Sequence, residues 1–203
     1  DLPRIEPLLW TALERRAPEL APDAAALVEY FLRNKDALRR RVAALAEQPV
    51  TAAATRYHGD YHLGQVLLTE NDFVITDLEG EPARPFDERR IKSTPLKDVA
   101  GMLRSFAYAK TVAQRAFAAR GLRDLPSIGD LLDAWYRETE SVFREAYAQA
   151  SNGCVGYPAD AEEAQRLLEL AAIQRLLYEV RYELDHRPDW LAVPLQDLQA
   201  LAN

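Results

Sequence analysis

Residues able to do chemistry crowd into one segment, RYHGDYHLGQVLLTENDFVITDLEGEP, from Arg56 to Pro82. His58 and His62, two of the chain's three histidines, frame Asp60, and carboxylates follow at Asp77, Glu79 and Glu81. Between them QVLL (65–68) and FVIT (73–76) read as strands flanking TEND, which has turn chemistry. A hairpin tip centred on Asn71 sets Gln65 opposite Asp77, with Cα atoms about 4.5–5.5 Å apart. Two oxygen-bearing side chains at the open end of a hairpin, just after Asp60, can converge on one cation. A hard ion such as magnesium prefers such ligands and is completed by phosphate and water. The first alternative makes His58, Asp60 and His62 transition-metal ligands, since alternate strand positions face one side. With no fourth ligand nearby and no cysteine cluster, that alternative ranks lower. The second is a decorated loop, in which Asp60 is a turn residue after glycine and Glu81 a solvated charge.

Helices must position this segment. From Pro22 to about Gln48, Val28, Phe31, Leu38, Val42 and Leu45 recur at helical spacing, with Arg33, Arg39, Arg40 and Arg41 on the exposed side. Thr94 as N-cap and Pro95 as first helical residue open a second helix with a stripe of Val99, Leu103, Phe106, Ala113 and Phe117, ended by Gly121. Ser127 with Asp130 starts a third, through Tyr147, in which Trp135 and Tyr136 read as packing residues. After a loop holding Asn152, Gly153, Gly156 and Pro158, Asp160 with Glu163 opens a long helix to about Asp185. Its core face is Ile173, Leu177, Val180 and Leu184. Tyr178 and Tyr182 lie four apart beside that face, followed by Arg187 and Trp190, and such aromatic and polar groups suit sugar rings. Half-buried tyrosines at a helix edge are the plainer reading. The fold expected is mainly α with one small β-hairpin.

Composition limits the partners. The 203 residues suffice for a real core. Twenty-five basic against 32 acidic residues give a net charge of -7, which argues against nonspecific nucleic-acid binding. A single cysteine, Cys154, cannot form an internal disulfide, so a reducing, cytoplasmic setting is expected. No apolar run has the length to span a bilayer, and DLPRIEPLLW lacks a signal-peptide layout. The chain begins without methionine, so a longer parent is expected.

Three motifs together carry a resemblance. His58-Gly59-Asp60-Tyr61-His62-Leu63-Gly64-Gln65 resembles the catalytic loop, H-G-D-x-H-x-x-N, of aminoglycoside-phosphotransferase-type kinases. Asp77-Leu78-Glu79-Gly80 resembles the metal-binding segment that follows one hairpin later. Pro95-Leu96-Lys97-Asp98-Val99-Ala100 resembles the P-x-x-D-h-A opening of the next helix. HGDYHLGQV, DLEGEPARP and RPDWLAVPL resemble bacterial maltokinases within that superfamily, including forms fused to trehalose synthase. The likeness spans nearly the whole chain and is most specific over residues 56–108.

The resemblance implies the C-terminal lobe of a protein-kinase-like fold, 1–203, with the N-terminal lobe absent. It implies transfer of the ATP γ-phosphate to the anomeric hydroxyl of maltose, giving maltose 1-phosphate. Asp60 is then the candidate base, accepting the acceptor's proton, and Gln65 and Asp77 hold magnesium against the nucleotide phosphates. Gln65 departs from the superfamily's asparagine, yet still presents an amide oxygen. Glu79 supplies a second metal ligand or orients the first. Asp98 anchors the catalytic loop through backbone N–H groups, and His58 and His62 shape it. The expected partners are ATP, maltose, the missing lobe and a fused or associated trehalose synthase, and the isolated chain is expected to be almost inactive. Arg84, Arg89 and Arg90 read as solvated loop charges, with phosphate contact as the alternative. The rival functions are a kinase of an aminoglycoside or amino alcohol, and a non-catalytic docking module.

Overall fold

The computed structural model describes residues 2–82, 84–122 and 126–202. In chain order they form α1 (Leu2–Arg16), α2 (Pro22–Glu47), β1 (Val66–Thr69), β2 (Asp72–Ile75), α3 (Phe86–Arg89), α4 (Leu96–Ala119), α5 (Pro126–Ser151), α6 (Ala161–His186) and α7 (Ala192–Ala202). The chain is mainly helical with one two-stranded sheet, as its sequence leads one to expect. It gathers into two compact units. One takes the residues up to Pro49 together with those from Glu169 onward, and the other takes Val50–Leu168.

The first unit is a helical core. Leu9, Trp10 and Leu13 of α1 meet Val28, Phe31 and Leu38 of α2, the anticipated face of α6 (Ile173, Leu177, Val180, Leu184), and Leu191, Leu195 and Leu198. Each such side chain, fully buried, contributes about 1.5–3 kcal/mol. Arg33, Arg39, Arg40 and Arg41 do face solvent, although Arg41 reaches Glu169 at 2.7 Å. Two helices escaped the sequence reading because prolines mask them. Pro7 lies inside α1 and Pro194 in the first turn of α7, where a missing N–H leaves no bond unmade.

The second unit carries the HGD segment. Leu96, Val99, Ala100, Met102 and Phe106 bury one side of α4, and Phe106 meets Phe143 of α5 edge-on at 5.6 Å. Leu103, expected in that stripe, is only half-buried, and Trp135 is 41% exposed on the solvent side of α5, so its packing role does not hold. Thr94 caps α4 through its hydroxyl, which accepts the Leu96 N–H at 3.3 Å, and Gly121 with φ +74 closes the helix.

The hairpin register differs from expectation by one residue. Val66 pairs with Ile75 and Thr69 with Asp72, leaving a two-residue turn at Glu70 and Asn71. Gln65 therefore faces Thr76, whose N–H it accepts at 2.9 Å, and does not face Asp77. The tip closes between Glu70 and Asn71 because the Thr69 hydroxyl bonds the Asp72 carbonyl at 3.1 Å and the Asp72 carboxylate takes the Phe73 N–H at 2.7 Å.

Residues 51–56, which feed the HGD loop, are held as an extended strap. The carboxylate of Glu163 accepts the Thr51 N–H at 2.8 Å and the Thr51 hydroxyl at 2.6 Å. Ala53 donates to Val155, and Thr55 exchanges two backbone bonds with Ser93. Gly156 lies against Thr55 so closely that a Cβ would fall 2.6 Å from Thr55 Cγ2. The Thr51 hydrogen bonds hold the Glu163 carboxyl below the ordinary glutamate range, with its own burial opposing. A depressed folded-state value means stability present above that ordinary range and lost as the pH falls through the folded value. Glu163→Gln should therefore melt below wild type at about pH 7, and the gap should narrow as the pH falls below the ordinary glutamate range. A gap independent of pH would contradict this role.

Candidate functional site

Asp98, in the first turn of α4, fixes the loop. Its Oδ2 accepts the His58 N–H at 2.6 Å and its Oδ1 the Gly59 N–H at 2.9 Å. The His58 ring then joins two segments: Nδ1 accepts the Asp60 N–H at 3.3 Å, and Nε2 lies 2.8 Å from the Thr76 carbonyl. Since Nδ1 accepts, the proton sits on Nε2 and is donated to Thr76. With both nitrogens engaged, His58 has no lone pair left for a metal. Among the described residues no group of three or more His, Cys, Asp or Glu is placed to hold a metal ion, so the transition-metal alternative loses its support.

His62 Nδ1 accepts the Gly64 N–H at 3.0 Å, and its Nε2 lies 3.7 Å from Asp60 Oδ2. The Leu63 N–H donates to Ser105 Oγ on α4 at 3.0 Å. Burial, with Asp98 adding to it, pushes the Tyr61 phenol up, so it stays neutral. The Asp60 side chain is mostly covered, at 16% exposure.

At the open end of the hairpin Gln65 and Asp77 meet despite the shifted register. Gln65 Nε2 donates to Asp77 Oδ2 at 2.9 Å. Asp77 has φ +61, the sole positive value at a non-glycine position among the described residues. Aspartate tolerates this region better than most residues, at a cost of about 1 kcal/mol or more. The left-handed turn ends the strand and allows a side chain one register step away to meet Gln65. An amide and a carboxylate in contact are oxygen donors of the kind magnesium takes when phosphates and water complete its shell. Glu79 follows in the next turn and is exposed.

Two close approaches depend on glycine. Gly59 (φ +89) abuts Gly80 (φ +82), with an added Cβ falling 3.2 Å from the Gly80 Cα. A Cβ at Gly101, in the middle of α4, would lie 2.6 Å from the Tyr61 carbonyl. The sequence reading missed Gly101 and Ser105, and it read Glu163 only as a helix-opening residue, without its hold on Thr51. A glycine inside a strong helix pattern was the available signal, because it costs about 1 kcal/mol unless packing requires it.

Tyr178, Tyr182, Arg187 and Trp190 belong to the other unit, where they form one ladder. The two tyrosines stack at 6.4 Å, and the Arg187 guanidinium lies 5.5 Å from the Tyr182 ring and 5.6 Å from that of Trp190. Arg187 is held bidentately, at 2.9 and 2.6 Å, by Glu183, which is 1% exposed. Glu183 gave no sequence signal, since a Glu–Arg pair four apart reads as an ordinary surface bridge.

No protein-family model matches the chain. It is 34% identical over 160 residues to a glucosamine kinase of Mycolicibacterium smegmatis, a match covering 77% of this chain and 36% of that protein. A glucosamine kinase of Streptacidiphilus jiangxiensis is 28% identical over 137 residues, covering 68% and 29% respectively. The chain thus spans about a third of the length of these curated relatives. Among solved structures, a glucosamine kinase in complex with glucosamine, ADP and inorganic phosphate superposes with a TM-score of 0.66 at 22% identity, covering 95% of this chain and 43% of that one. A second crystal form of a glucosamine kinase gives 0.68 at 21%. The chain shares the fold of that part of these proteins.

The contact at Gly101 yields a direct test. Gly101→Ala gains roughly 1 kcal/mol of helix propensity. It must also force α4 and the Tyr61 carbonyl apart, and overpacking costs about 1–3 kcal/mol. Urea unfolding should show net loss of stability, with NMR shift changes concentrated at residues 58–63. A variant more stable than wild type would remove the close approach from the account.

Proposed function

We propose that the chain is the catalytic part of an ATP- and magnesium-dependent sugar kinase, corresponding to the C-terminal lobe of a protein-kinase-like fold, with maltose as acceptor. The observation that carries the reading is the meeting of Gln65 and Asp77 at 2.9 Å, on a hairpin that His58 ties to the Asp60 loop. The 34% identity to a protein named as a glucosamine kinase supports sugar phosphorylation. The nucleotide cleft is completed by residues outside these 203. Leu68 at 77% and Phe73 at 68% exposure on one face of the hairpin favour a covering segment there.

In this reading Asp60 takes the proton of the attacking hydroxyl. Its main-chain N–H is fixed by His58, and the Asp98 clamp fixes His58, so the backbone that carries the carboxylate is held in one place. Gln65 and Asp77 would hold magnesium, which would supply positive charge against the nucleotide phosphates. Asp77, the fully ionic member, supplies the stronger donor, and Glu79 lies within two residues of it.

The ladder of Tyr178, Tyr182, Arg187 and Trp190 suits a sugar through ring stacking and hydrogen bonds to hydroxyls. Glucosamine is the second reading, favoured by the names of the relatives. The guanidinium groups of Arg175 and Arg187 over the Tyr178 and Tyr182 rings are paired with Glu179 and Glu183, so charge at the ladder does not choose between the two sugars.

The test uses the complete enzyme carrying Asp60→Asn. Turnover should fall by about 10²–10⁴, the range for loss of a general base, while the Michaelis constant for sugar changes little. Undiminished turnover would end the role of Asp60. Wild-type enzyme offered maltose and glucosamine should prefer maltose; preference for glucosamine would replace the acceptor and keep the kinase.

A further inference from the structure

His62 is expected to shape the loop, and one nitrogen is enough for that. Its Nδ1 accepts the Gly64 N–H at 3.0 Å. A second feature sets the ring: a Cβ on Gly64 would fall 2.8 Å from His62 Cε1 and 3.0 Å from Nδ1, so the imidazole occupies space that only glycine leaves open. The backbone between them is anchored too, since the Leu63 N–H donates to Ser105 Oγ at 3.0 Å.

Because Nδ1 accepts, the ring proton sits on Nε2. That nitrogen lies 3.7 Å from Asp60 Oδ2. A donor therefore stands beside the carboxylate read as the base, at a separation still too long for a hydrogen bond. Catalytic hydrogen bonds are often long without substrate and tighten in the reacting complex. The two histidines divide the work on Asp60: His58 holds its main-chain N–H, and His62 stands at its side chain.

We propose that His62 is a positioning residue for phosphoryl transfer. Its Nε2–H closes on Asp60 Oδ2 when the sugar binds and leaves Oδ1 to accept the proton of the attacking hydroxyl. This rests on the reading of Asp60 as the base, and it gives His62 a part beyond loop shape.

Two amide variants of the complete enzyme separate these roles. Asparagine puts an acceptor where Nδ1 was and nothing at Nε2, whereas glutamine puts an N–H near Nε2 and gives up the bond to Gly64. With ATP and whichever of maltose and glucosamine the wild type prefers, His62→Asn should lower kcat by about 10–10², the effect of losing a hydrogen bond to a charged acceptor. Its Michaelis constants should stay within about twofold of wild type, and its melting temperature should hold. His62→Gln should recover most of the lost kcat. Glutamine no faster than asparagine would overturn the proposal, because loop shape alone favours asparagine. Asp60→Asn combined with His62→Asn should be no slower than Asp60→Asn alone, and a further tenfold loss would show that His62 acts elsewhere. Undiminished turnover in Asp60→Asn removes the base and this inference with it. Full turnover in His62→Asn beside a crippled Asp60→Asn removes His62 alone.

Discussion

Two backbone N–H groups, those of His58 and Gly59, face the first turn of α4, and the Asp98 carboxylate is their acceptor. Hydrogen bonds to a charged acceptor contribute about 1.5–3 kcal/mol each, and an orphaned buried donor costs a similar amount. This clamp sets the loop's direction. Once His58 is placed, its ring can serve the Asp60 N–H on one side and the Thr76 carbonyl on the other, coupling loop to hairpin. The strap at 51–56 delivers the chain to the clamp, and Gly101 allows α4 close enough to receive it. Secondary structure alone would leave these residues in separate pieces.

Much of this was legible. The helical spacing of Val28, Phe31 and Leu38, the caps at Thr94 and Asp160, and the glycine stop at Gly121 are local effects, and the protein obeys them. The hairpin's existence was equally local. Its register was not, because the choice between a tip at Asn71 and one between Glu70 and Asn71 turns on the Thr69 hydroxyl and the Asp72 carboxylate. The meeting of Gln65 and Asp77 survives the shift because Asp77 adopts a left-handed backbone that no strand pattern announces. The burial of Glu163, read only as a helix opener, and of Glu183 was illegible for another reason: on a helix, a buried carboxylate and a solvated one have the same spacing.

Both units hold charge where apolar groups would be simpler. In one, Glu183 is almost fully buried and pinned to Arg187 below two aromatic rings. In the other, Lys97 is half-buried beside the Tyr57 ring. A buried ion pair contributes little net stability compared with an apolar replacement. Such arrangements make physical sense where a polar ligand completes them.

The most direct measurement is the position of the metal. A crystal of the complete enzyme, grown with manganese in place of magnesium and a nucleotide, gives an anomalous peak at each metal. The account predicts a peak within coordination distance of both the Gln65 amide oxygen and an Asp77 carboxylate oxygen, with the Asp60 carboxylate facing the sugar hydroxyl. A nucleotide-bound metal held by other side chains, with Gln65 and Asp77 still bonded only to each other, would contradict it.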